Sequence, residues 1–151
     1  MNRRSVLLGL ATAMSAGCLG AIPSEPGSPS PTPSPTPEPT LEFVVTDRSC
    51  GRGENSAAVR IGPEYVTVDG TIGGRDTCDT ARIDSASWSD GTLTVRVSTT
   101  RIETTATVQC AQCVTDIDYT ARVPIGDRTP EKVVVIHDSV TGTGTVTTAS
   151  S

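Results

Sequence analysis

The chain has 151 residues, a formal charge of −5 from 12 basic and 17 acidic side chains, and only one Phe, one Trp and two Tyr. An acidic surface on which Lys132 is the sole lysine lacks the basic footprint that nucleic acid requires, so no nucleic-acid partner is expected, and the balance suits a protein that stays soluble in high salt. With so few aromatics, the core has to be built from Val, Ile, Leu and Ala, and it is thin.

Residues 1–17 read as an export signal: Met1-Asn2-Arg3-Arg4 is a short basic start, Ser5 to Ala13 is apolar, and small residues lead into Cys18. As a helix the run from Ser5 to Gly17 rises only about 20 Å against roughly 30 Å of hydrocarbon, too short for a spanning anchor. Arg3 and Arg4 directly before Ser5-Val6-Leu7-Leu8 resemble a twin-arginine signal. Ser15-Ala16-Gly17-Cys18 resembles a lipobox, in which the Cys18 thiolate takes a lipid and becomes the first residue of the mature chain. An ordinary secretory signal with an incidental cysteine, or a cytosolic N-terminus, is the competing reading.

Residues 18–40 read as a lipidated linker rich in Pro, Ser and Thr, with proline at every second position from Pro29 to Pro39. Proline fixes φ and holds its neighbour extended, so this is a polyproline-II spacer that buries nothing, reaching about 60 Å at roughly 3.1 Å per residue. Its hydroxyls are candidates for O-glycosylation.

Residues 41–151 read as the folded domain, and its pattern is period two. Leu41, Phe43 and Val45 share a face; after a Gly/Asn turn at 51–55, Ala57, Val59 and Ile61 do the same. Tyr65 to Ile72 turns Val66, Val68 and Ile72 inward. Arg82 to Trp88 is a strand of ambiguous phase, ended by the hairpin signal Ser89-Asp90-Gly91 before Leu93, Val95 and Val97. From Val114 to Val123, Thr115, Ile117, Tyr119, Ala121 and Val123 fall on the same face as Cys113, with Asp116, Asp118, Thr120 and Arg122 opposite. Lys132 to Ile136 is a short apolar run, and Val140 to Val146 is a closing edge strand. No window is helical. The fold expected is all-β, an antiparallel sandwich of immunoglobulin-like architecture with seven or eight short strands.

Beyond Cys18, the even set Cys50, Cys78, Cys110 and Cys113 suits disulfides outside the cytoplasm. An odd offset on a continued strand disfavours a bond between Cys110 and Cys113, and the preferred pairing is Cys78 with Cys110 and Cys50 with Cys113. Two alternatives stay open. Cys110-Ala111-Gln112-Cys113 matches the CxxC of thiol-disulfide enzymes, although those place it at a helix N-terminus and here it leads into a strand; the four sulfurs could also form a zinc site, although Cys50 and Cys78 stand far apart.

Other constellations read as structural. Asp116 and Asp118 put two carboxylates about 7 Å apart on one face, the geometry of a solvated acidic face before that of a cation site. His137, Asp138 and Ser139 cannot form a relay on a regular strand, because neighbours point to opposite faces. No catalytic residue, cofactor or metal is expected.

The signal, the Pro-Thr-Pro-Ser spacer and the segments Val68 to Ile72, Cys78 to Ser85, Cys110 to Val114, Asp118-Tyr119 and Val135 to Asp138 resemble uncharacterised twin-arginine-exported lipoproteins of halophilic archaea. The resemblance implies a diether lipid on Cys18 and no functional residues beyond that cysteine and the disulfides. The reading is therefore a lipoprotein on the extracytoplasmic face of the cell membrane, held through Cys18, whose non-enzymatic module is structural or binds a surface protein or glycan. A solute- or metal-binding lipoprotein working with a membrane transporter is the second reading.

Overall fold

The computed structural model describes residues 27, 38–103 and 107–151. Eight strands follow in chain order: β1 (Glu42–Cys50), β2 (Ser56–Ile61), β3 (Tyr65–Gly74), β4 (Asp79–Ser89), β5 (Thr92–Arg101), β6 (Thr115–Pro124), β7 (Lys132–Ser139) and β8 (Gly142–Ser150). They form two four-stranded sheets within the unit Pro37–Ser151, ordered β1-β6-β3-β2 and β4-β5-β7-β8. This is the all-β sandwich that the alternation predicts. One of its ladders, β5 with β7, is parallel. The chain leaves the second sheet after β5, runs through the first as β6 and returns as β7, and that excursion sets the shared direction.

The central strands carry the core. Val66, Val68 and Ile72 of β3 and Ile117, Tyr119 and Ala121 of β6 face Leu93, Val95 and Val97 of β5 and Val133 and Val135 of β7, all nearly inaccessible. At roughly 25 cal/mol per Å² of apolar surface removed from water, this layer supplies most of the driving force. Phe43, Val45, Ala57, Val59 and Ile61 pack half-buried at its margins. Leu41, expected beside Phe43, lies before β1 and is 44% exposed.

Bulges explain where alternation was hard to read. In β4 the register slips between Ile83 and Ser85, so the inward residues change from Asp79, Ala81 and Ile83 to Ala86 and Trp88. In β1 a slip between Val45 and Asp47 sets Cys50 opposite Thr115, in the inward row of β6. Without that extra residue Cys50 would point away from Cys113.

The segment 51–55 is no hairpin turn. β1 and β2 sit at opposite edges of their sheet, so the chain arches across the ends of β6 and β3. It lies close enough that a Cβ on Gly73 would stand 2.9 Å from the backbone of Gly53, whose own φ is +75°. Gly70 plays a similar part in the core: it pairs with Tyr119, and a Cβ there would meet the Tyr119 hydroxyl at 2.5 Å. Gly70→Ala is expected to cost about 1–3 kcal/mol by overpacking, read as a lowered urea midpoint with an unchanged slope.

Candidate functional site

Most of the chemistry-bearing side chains gather at one end of the sandwich, where the chain crosses between sheets. Arg3, Arg4 and Cys18 lie outside the described residues. The other four cysteines form two cystines, Cys50–Cys113 and Cys78–Cys110, with Cα atoms 5.6 and 5.3 Å apart. Both bridges grip the connection from β5 to β6: Cys113 ties it to the end of β1, and Cys110 ties it to the residue just before β4. The CxxC motif thus belongs to two different bridges, which removes the disulfide within the motif that thiol-disulfide enzymes use. It also removes the tetrathiolate zinc reading. Asp76 lies within 4.8 Å of the sulfurs of Cys78 and Cys110, but those sulfurs are bonded to each other. On chain entropy alone, closing loops of 63 and 32 residues stabilises the fold by about 4 kcal/mol each.

Charge is organised around the second cystine. The Asp79 carboxylate is fully buried and accepts from the backbone N–H of Arg75 at 2.8 Å and its Nε at 3.1 Å, with Arg101 Nη1 at 3.5 Å. Asp76 accepts from Arg101 at 2.8 Å and from the Cys78 N–H at 2.9 Å, and these bonds hold its pKa below the usual carboxylate range, the Arg101 bond contributing most. Two cations and two anions neutralise one another here, which is how a buried Asp79 is accommodated.

Asp116 and Asp118, read as a solvated acidic pair, have separate structural partners. Asp116 fills the concavity of the 51–55 arch and accepts from the N–H groups of Glu54 at 2.9 Å, Gly53 at 2.7 Å and Arg52 at 3.2 Å. Those bonds, Glu54 first, keep it ionised to lower pH than a free carboxyl. Asp118 accepts from the Thr71 hydroxyl at 2.6 Å, and Asp69 from Thr120 at 2.7 Å. The arch held by Asp116 ends at Asn55, and Asn55 reaches a buried polar chain that crosses the core.

That chain begins at Tyr119 of β6, which is 1% exposed and stacked on Phe43 at 5.2 Å. Its hydroxyl lies 2.7 Å from Nε2 of His137 on β7, also 1% exposed, so a single hydrogen bond joins the two sheets through the core. Nδ1 of His137 is 3.3 Å from Asn55 Oδ1, and the Asn55 amide nitrogen donates to Thr141 at 3.1 Å and toward the Gly53 carbonyl at 3.4 Å. The Gly53 carbonyl can only accept, which fixes the amide orientation. The histidine is then the neutral tautomer protonated at Nδ1, with the tyrosine donating to Nε2. Burial pushes the His137 pKa down to about 4; burial, and then the Asp69 charge, push Tyr119 upward. Both groups are neutral at pH 7. Asp138 points outward to the Thr143 hydroxyl at 2.8 Å, so His137, Asp138 and Ser139 form no relay.

Sequence reasoning missed this pairing, although Val133, Val135 and His137 share one phase, and that was the available signal. Its chemical capacity is cohesion between sheets, since neither ring meets solvent. Comparison with protein-family models, with curated proteins and with solved structures gives no match.

Two outcomes are expected. In protein handled without reductant, alkylation should label none of Cys50, Cys78, Cys110 and Cys113, and a labelled thiol would contradict the bridges. The second concerns acid. An unfolded chain protonates His137 below 6.5, the folded one only near 4, so stability present above 6.5 falls as pH drops toward 4. The loss is about 2–3 kcal/mol between about pH 7.5 and pH 4.5, and urea titrations of His137→Gln should show this part of the slope flattened.

Proposed function

We propose that the chain is a cell-surface lipoprotein, anchored in the membrane by a lipid on Cys18, whose sandwich is a non-enzymatic interaction or structural module. The observation that carries the reading is the run Arg3-Arg4, a short apolar stretch and Ser15-Ala16-Gly17-Cys18, followed by a domain whose four remaining cysteines are all paired. Cystines persist in oxidising compartments, so the bridges and the export signal support the same side of the membrane. Among the described residues no helix is long and apolar enough to cross a bilayer, and a lipid is the anchor the leader supports.

The spacer joins the domain at the start of β1, where Glu42 pairs with Arg122, and the cystines lie at the other end of the same two strands, where Cys50 pairs with Thr115. The cystines therefore lie at the opposite end of β1 from its first residue. The resemblance to lipoproteins of halophilic archaea accords with the acidic, lysine-poor surface, which stays hydrated when salt competes for water.

Intact mass of the membrane-extracted chain tests the reading. The expected mass begins at Cys18, carries a lipid and lacks the hydrogens of four thiols, and Cys18→Ser should shift the protein from the detergent phase to the aqueous phase. An unprocessed leader, or a serine variant that partitions like the wild type, would overturn the anchor.

A further inference from the structure

We propose that the free edge of β2 is a self-association surface, pairing antiparallel with β2 of a second copy to join two four-stranded sheets into one. The inference concerns the domain itself and holds with or without a lipid on Cys18.

Four strands end the two sheets: β1 and β2 in the first, β4 and β8 in the second. An open edge templates pairing with other chains, and a bulge is one way of blunting it. β1 is broken by a bulge at Val45/Asp47, β4 by one at Ile83/Ser85, and β8 by a slip opposite Val135/Ile136, where Val146 is the extra residue. β2 alone among these edges runs in unbroken register, from Ser56 opposite Thr71 to Ile61 opposite Val66.

The phase of its hydrogen bonds identifies the groups on offer. The Gly62 N–H donates to the Tyr65 carbonyl at 2.9 Å, and these residues continue the register of Ile61 with Val66. Mutually bonded pairs alternate along an antiparallel ladder, so Ser56, Ala58 and Arg60 turn their backbone groups toward β3, while Ala57, Val59 and Ile61 turn theirs to the open side. The bond from the Ile125 N–H to the Glu64 carbonyl, 3.0 Å, gives the complementary phase on the β6 side of β3 and agrees.

The strand is also complementary to itself, which selects a second copy as the occupant. A two-fold axis perpendicular to the sheet and midway between the two Val59 residues sets Val59 against its equivalent and Ala57 against Ile61 of the second copy. These are the outward-bonding residues, so every pair in that register can exchange hydrogen bonds. On the outer face Ala58 meets Arg60 of the second copy, and no like charges are opposed. The small Ala58 side chain leaves that guanidinium a path to Asp69, which pairs with Ala58 on β3, two strand spacings or about 10 Å away. Asp69 already accepts from Arg60 of its own chain at 2.6 Å, and with the two side chains 74% and 40% exposed for Arg60 and Asp69 there is room for another. Each joint would thus set two arginines and two aspartates in one alternating row.

Sedimentation equilibrium of the full chain in detergent, over rising protein concentration, tests the proposal. A reversible monomer–dimer equilibrium is expected. Ala57→Pro removes an outward N–H and spares the β2–β3 ladder, so it should abolish the dimer while circular dichroism and the thermal midpoint stay near wild type. Arg60→Glu faces Asp69 with a like charge and should weaken association by about tenfold, and adding Asp69→Arg should restore it. If Ala57→Pro fails to fold, the charge reversal decides alone. A chain monomeric up to millimolar concentration, or a dimer that survives these substitutions, overturns the proposal.

Discussion

A thin aliphatic core has to be closed from its ends, and in this domain the closure is concentrated where the β5–β6 connection is held by two cystines. Among the described residues Tyr119 is the largest side chain fully buried; it stacks on Phe43 and meets His137, while the rest of the buried layer is mostly Val, Leu, Ile and Ala. Such a layer gives two sheets little to interlock, because aliphatic packing lacks direction. Cys50–Cys113 and Cys78–Cys110 supply the missing constraint by tying one crossing segment to the end of β1 in one sheet and to the residue just before β4 in the other. They act mainly on the unfolded chain, by removing conformations it would otherwise sample.

The polar groups at the same end depend on that closure in sequence. Asp116 holds the 51–55 arch, the arch positions Asn55, and Asn55 completes the hydrogen bonding of a histidine that would otherwise bury an unsatisfied nitrogen. His137 in turn accepts from Tyr119 across the core. Each link is worth little by itself, about 1 kcal/mol net, yet leaving any buried partner unpaired costs more than making the bond gains. The chain therefore specifies one alignment of the two sheets where aliphatic packing would tolerate several.

This arrangement bears on function through what it occupies. The CxxC sulfurs, the paired aspartates and the single histidine are the groups from which an active site would most readily be built, and each is already satisfied by a partner within the domain. Outward, the described residues present backbone at the sheet edges, threonines, and charged side chains such as Arg48, Arg82, Asp84, Asp127 and Arg128.

The sequence alone determined the strands. Alternation located β1, β2, β3, β5 and β6, because burial on one sheet face imposes a period of two on the chain that forms it, and the row Thr115, Ile117, Tyr119, Ala121 and Val123 appears as read; β4 reads without a phase, β7 as a short apolar run and β8 as a weak alternation. The sequence also favoured the pairing that the structure has, since four cysteines allow three pairings and an odd offset disfavours a bond between Cys110 and Cys113. Tertiary structure decided the rest. The parallel β5–β7 ladder and the passage of 51–55 across its own sheet follow from which strands become neighbours, and local pattern is blind to that. The slip at Ile83/Ser85 erased the phase of β4, and the slip at Val45/Asp47 carried Cys50 to the side of Cys113. Asp116 and His137 looked like solvated or idle side chains because the groups that satisfy them lie 62 to 64 residues and 18 residues away along the chain, and only the folded sheets bring them within hydrogen-bonding distance.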